Sequence, residues 1–138
     1  MTTRVFLDTV FVTALLNPRD QYHQRAMQFV SYLETSSEVW TTEAVLVEVG
    51  NSLSAVDPDK AVGFIHRCYR TANVFVKTVD TALLGRAVRL YEERHDKTWG
   101  LTDCISFVVM RDEGLTDALT ADRHFLQAGF RPLLLDDA

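Results

Sequence analysis

Short apolar runs alternate along this chain with longer segments whose apolar positions recur every three or four residues, and few folds satisfy that rhythm. Residues 5–8, 38–41, 73–77, 117–120 and 132–135 read as strands. Between them lie helical segments. VFVTALL follows the first strand, and a helix over 20–35 is expected with Asp20 as its cap and Ala26, Phe29, Val30 and Leu33 at helical spacing. Thr42 caps a helix over 43–55 whose stripe is Val45, Val49, Leu53 and Val56. Asp57, Pro58 and Asp59 open another that runs to about Thr71. A long helix over 78–94 carries Leu83, Leu84, Ala87, Val88 and Tyr91 on one face. Leu101–Glu113 is helical and stopped by Gly114, and a short helix over 122–128 is stopped by Gly129. Strands this short, alternating with helices, imply an α/β fold: a mostly parallel central sheet covered on both faces, a three-layer α/β/α sandwich.

With 138 residues, no linker and no internal repeat, the chain reads as one domain, 1–138. Apolar residues make up 47%, which excludes disorder, and six Gly with three Pro are too few for a collagen-like or low-complexity chain. No uncharged apolar run approaches the ~20 residues a membrane span requires. The N-terminal apolar stretch is broken by Asp8 and reads as strand and helix, not as a leader. Cys68 and Cys104 have no partner at metal-ligand or redox spacing, so free thiols and a cytoplasmic setting are expected. Fourteen Lys and Arg against 19 Asp and Glu leave a net charge of −5, which argues against gripping nucleic acid through broad positive charge. It does not argue against a site that meets phosphate through metal ions.

Ligands of parallel sheets gather outside the carboxyl ends of the strands, and acids stand there. Asp8 ends the first strand, Asp122 follows the fourth, and Asp103 lies in the first turn of the LTDCIS helix, where Thr102 can cap. Glu48 falls on the border of its helix's apolar stripe, close to Val45. Singly, the three Asp read equally as helix caps and Glu48 as a solvated flank. Jointly, four acids at one rim would repel one another unless cations sat between them, and an all-oxygen cluster selects Mg²⁺ or Mn²⁺, one or two ions.

VFLDTVFVTALL with Asp8, EVGN with Glu48 and Asn51, LTDCISF with Asp103 and LTADRHF with Asp122 resemble, in order and spacing, the four acidic motifs of PIN-domain nucleases. DQYH at 20–23 and DKTWGLTDCISFVVM look especially like the VapC-type toxins of prokaryotic toxin–antitoxin pairs. The resemblance implies a metal-dependent endoribonuclease in which Asp8, Glu48, Asp103 and Asp122 hold the ion or ions. Water rather than the ribose 2′-hydroxyl would be the nucleophile, leaving 5′-phosphate and 3′-hydroxyl ends. It also implies a small antitoxin partner and a homodimer; Met27, Phe64 and Ile65, on apolar faces of the second and fourth helices, read either as contact residues or as core. One departure is Val10, where the family often has Ser, Thr or Asn; the role of that polar group passes to Thr9 or to water.

Thr9, Thr102 and Thr120 can steady carboxylates through their hydroxyls, and Asn51 can bond either the site or a loop. Arg94, His95, Lys97 and Trp99 form a basic, partly aromatic loop suited to phosphates and an unpaired base, or to a solvated loop anchored by Trp99. His23 and His124, each beside long polar neighbours on a helix, are expected to be structural. Competing readings are a housekeeping PIN-domain RNA-processing nuclease and a catalytically inactive PIN-like binding module. A haloacid-dehalogenase-type phosphatase wants a second Asp where Val10 stands, and a receiver domain wants a late Lys that this chain lacks.

Overall fold

The computed structural model describes residues 2–136; Met1 and the last two positions of the expected domain lie outside the described residues. Five strands, β1 (Arg4–Leu7), β2 (Glu38–Thr42), β3 (Val74–Lys77), β4 (Asp117–Leu119) and β5 (Arg131–Pro132), form one sheet in the order β3-β2-β1-β4-β5. Every pairing is parallel, with Phe6 opposite Trp40 on one side and Leu7 opposite Leu119 on the other. Strand β1 is central, so Val5, Phe6 and Leu7 are buried in succession without polar alternation. The chain runs outward from β1 to β3, then crosses back to β4 on the opposite flank. This reversal opens a crevice at the carboxyl ends of β1 and β4.

Helices α1 (Thr9–Leu16), α2 (His23–Met27), α4 (Glu43–Leu53) and α5 (Pro58–Arg70) form one contact group, in which α1 packs on α2 and α4, and α4 on α5; the short α3 (Val30–Thr35) follows α2 in the chain. Helices α6 (Thr81–Glu93), α7 (Leu101–Glu113) and α8 (Arg123–Gln127) form the other, with α7 packed on both α6 and α8. The result is the expected three-layer sandwich. Phe107 of α7 centres the second layer, its ring edge-on to Trp99 and to Phe125 at 5.0 Å each, while Phe6 reaches Phe125 from the sheet. Helix α4 also touches α7, which carries Glu48 toward the crevice. Among the described residues no helix is long and apolar enough to cross a membrane.

Local chemistry explains where the elements start and stop. The Thr42 hydroxyl accepts from Val45 N and Asp57 from Lys60 N, so α4 and α5 begin where expected. Helix α6 starts at Thr81 rather than 78, because Val79 N donates to Glu43 Oε1 at 2.8 Å and Asp80 then caps Leu83 N. The single helix expected over 20–35 is two. Asp20 Oδ1 takes Tyr22 N in a tight turn instead of capping, and Phe29 N bonds three residues back to Ala26 O, breaking the helical ladder between α2 and α3. Val56, Leu84, Val88 and Tyr91, expected in apolar stripes, are exposed; Val56 lies beyond the end of α4, and only Leu83 and Ala87 of α6 are buried. The last strand is shorter than expected, since Leu134 N bonds Thr120 O and turns residues Leu133–Leu135 into a 3₁₀ helix.

Gly114 ends α7 at φ 67°, a conformation in which a Cβ is strained, although no heavy atom lies within 4 Å of where one would stand. Gly114→Ala is therefore expected to cost about 1 kcal/mol through the backbone alone, read as a lower urea midpoint at unchanged slope.

Candidate active site

The loops leaving β1 and β4 bring Asp8 and Asp122 to adjacent positions, and α7 enters the same crevice with Asp103 in its first turn. Asp8 is 3% exposed and stands before α1 without making a side-chain capping bond. Instead Thr120, itself fully buried, donates its hydroxyl to Asp8 Oδ2 at 2.7 Å. The same hydroxyl accepts from Asp122 N at 3.0 Å, so one side chain ties the two loops together. Asp122 also caps α8 through Oδ1, which takes His124 N at 2.9 Å. Asp103 Oδ2 takes Gly100 N at 3.3 Å and lies 2.9 Å from His124 Nδ1. Gly100, not Thr102, is the N-cap of α7; Thr102 lies inside the helix, where its carbonyl takes the Ser106 hydroxyl.

Glu48 is tied to the residue after Asp8, since the Thr9 hydroxyl donates to Oε1 at 2.7 Å, but it lies outside the close group of Asp103, Asp122 and His124. A common pattern results: on each of the four acids, protein donors engage one oxygen, Oδ2 of Asp8 and Asp103, Oδ1 of Asp122 and Oε1 of Glu48.

Burial pushes the Asp8 carboxyl up to about 7, and the charges of Asp103 and Asp122 push the same way, against the Thr120 hydroxyl and the Thr9 N–H, which favour the ionised form. Asp103 is raised for the same reasons, burial first and Asp122 second, with the bond from His124 opposing. Among the described residues no Lys or Arg pairs with any of the four acids. The one basic group against them among the described residues is the His124 ring, whose Nδ1 is also 3.2 Å from Asp122 Oδ1.

His124, expected from the sequence to be structural, stands against two of the acids. One ligand atom each from Asp103, Asp122 and His124 lie within 4.8 Å of one another. Its signal was the position two residues after Asp122, in the first turn of a helix that an acid opens. His23 is structural, with Nδ1 2.8 Å from Ala14 O. Trp99 is buried, bonded through Nε1 to Gln127 and covered by the Arg94 guanidinium, so it anchors its loop and presents no free face to a base. Lys97 Nζ is 3.7 Å from Asp96, and Asn51 is exposed on the last turn of α4.

The family model of the PIN domain matches residues 5–131. Among solved structures, VapC20 of Mycobacterium tuberculosis, a toxin that cleaves the sarcin–ricin loop, superposes with a TM-score of 0.81 at 27% identity, covering 91% of this chain and 95% of that one. FitAcB from Neisseria gonorrhoeae gives 0.58 at 17% identity over 93% and 94% of the two chains. FitAB bound to an IR36 DNA fragment gives 0.60 at 16% over 93% and 92%. These last two share the fold. No curated protein matches the sequence.

Proposed function

The chain belongs to the PIN domain family, and from that premise we propose that it is a metal-dependent endoribonuclease serving as the toxin of a toxin–antitoxin pair. The observation that carries the reading is the convergence of Asp8, Asp103 and Asp122 from three junctions at the carboxyl edge of the sheet, with no Lys or Arg among the described residues to neutralise them. Buried carboxylates without a basic partner are costly, and the donor set fits a hard divalent cation. Asp8, Asp103, Asp122 and Glu48 would hold Mg²⁺ or Mn²⁺. The ion supplies positive charge against phosphate oxygens and makes a water molecule more acidic.

The protein's own part is to fix the carboxylates and to exclude competing partners. Thr120 and Thr9 each tie down one oxygen of an acid, so the remaining oxygens keep a defined spacing. A rim this acidic repels a phosphodiester when it is free of metal, in a chain of net charge −5, so binding of RNA and binding of the cation are coupled. Likeness to VapC20, a sarcin–ricin-loop-cleaving toxin, supports a nucleic-acid loop as the class of substrate, here proposed to be RNA, and its being a toxin accords with a small antitoxin as partner. The homodimer remains part of the proposal, with Met27 exposed on α2 and Phe64 and Ile65 half-buried on α5. Free, buried Cys68 and Cys104 accord with a reducing cytoplasm.

The test is incubation of purified protein with total RNA and with a generic single strand, in Mn²⁺, in Mg²⁺ and in EDTA. Cuts bearing 5′-phosphate ends are expected in metal and none in EDTA; cuts of equal extent in EDTA would overturn the mechanism.

A further inference from the structure

We propose that His124 is a positioning residue: its Nδ1–H holds the Asp103 and Asp122 carboxylates in one arrangement, and Thr98 holds the ring in the tautomer that can do so. Nδ1 lies 2.9 Å from Asp103 Oδ2 and 3.2 Å from Asp122 Oδ1. An ionised carboxylate only accepts, so the nitrogen that faces two of them carries the proton. Nε2 of the neutral ring is then an acceptor, and the Thr98 hydroxyl stands 3.1 Å away to donate to it. The backbone N–H of His124 donates to the same Asp122 oxygen that lies 3.2 Å from the ring nitrogen, so one residue faces that oxygen from two sides. On Asp103 the ring shares Oδ2 with Gly100 N. Oδ1 of Asp103 and Oδ2 of Asp122 are thereby left for another partner.

A protonated Nδ1 cannot be a metal ligand, which separates this assignment from the alternative in which His124 joins Asp103 and Asp122 as a third donor. Imidazoles that orient ligating carboxylates typically change metal affinity 10–100-fold when removed. Thr98 belongs to the loop between α6 and α7, whereas His124 is on α8, so the pair also fixes the spacing of two elements of the crevice. In its relation to a cation the inference rests on the nuclease reading, but the tautomer does not.

Two measurements test it. In ¹⁵N–¹H spectra of the metal-free protein, at a pH where the ring is neutral, His124 is expected to carry its proton on Nδ1 with Nε2 bare; the reverse tautomer overturns the proposal. Calorimetric titration with Mn²⁺ alone then compares variants. His124→Asn places an amide N–H near the position of Nδ1, and is expected to keep the affinity within about threefold, whereas His124→Gln, whose amide reaches toward Nε2, loses about tenfold or more. Both should melt together in EDTA, which a purely structural role would not require alongside different affinities. Equal losses in the two variants, or a ¹⁵N-histidine coupling to bound Mn²⁺ in pulsed EPR, overturn the positioning role. If the unaltered protein takes up no Mn²⁺, the nuclease reading fails, and the tautomer measurement alone decides the role of the ring.

Discussion

Asp8→Asn is expected to abolish metal-dependent cleavage and, at the same time, to make the metal-free protein more stable at neutral pH. The two effects share a cause. Burial and the facing charges of Asp103 and Asp122 raise the Asp8 carboxyl from the ordinary 3.8 to about 7. For an acid whose folded pKa lies above its unfolded one, the folded state holds more protons between the two values. Stability is therefore full below about pH 4 and is lost as pH rises toward 7. At 1.36 kcal/mol per unit the ionised carboxylate costs the metal-free protein up to about 4 kcal/mol. Asn keeps an oxygen for the Thr120 hydroxyl but carries no charge. A gain of about 2 kcal/mol, roughly 5–10 °C in melting temperature, is expected at pH 8 in EDTA. It should vanish below about pH 3, where Asp8 is protonated in either state, and saturating Mn²⁺ should stabilise only the unaltered protein. Cleavage in Mn²⁺ should fall about 10³-fold or more, equivalent to about 4 kcal/mol of transition-state stabilisation. Calorimetry at two pH values with parallel cleavage assays checks both; an Asn variant that cleaves normally, or that melts lower at pH 8, contradicts the site.

What could be read in the sequence was what is encoded locally. The VFL run, the Asp57-Pro58 start of α5 and Gly114 at the end of α7 each act through one or two neighbours, and each fell where its chemistry required. The acids were legible for the same reason, since strand ends and helix starts are local features and the reversal of a parallel sheet gathers them. What depended on remote partners was not legible. Nothing beside Trp99 announces that Phe107 and Gln127 bury it among charged loop residues. Glu43 delays α6 from 36 residues away. His124 is paired with an acid 21 residues distant, and its own neighbours, Arg123 and Phe125, are those of an ordinary amphipathic helix. The break between α2 and α3 occurs in a stretch of good helical periodicity, because the decisive bond, Phe29 N to Ala26 O, closes three residues back where the pattern asks for four.

The bond from Thr120 to Asp8 spans 112 residues and is the hydrogen bond that most opposes the effect of burial on the Asp8 carboxyl. Thr120→Val keeps the shape of this fully buried side chain and removes only its hydroxyl. Two consequences follow from the geometry. Asp8 loses the hydrogen bond that most favours its ionised form, so its carboxyl moves further above about 7. Asp122 N, which donates to the same hydroxyl, is left without that acceptor, loosening the loop that carries the fourth acid. A cation must compete with the proton on Asp8, so the apparent Mn²⁺ affinity near pH 7 should fall about 10–100-fold, and the rising limb of the pH–rate profile should shift to higher pH. Raising the pH should recover part of the lost activity, which a variant damaged only in its packing would not do. Thr120→Ser, which restores the hydroxyl while giving up a methyl group, should return the pH profile to its original place even if it melts at a lower temperature. Profiles of rate against pH for the three proteins at fixed Mn²⁺ read this directly: superimposable limbs for Val and Thr would mean that Asp8 does not titrate in the active range, and would overturn the role given to this bond.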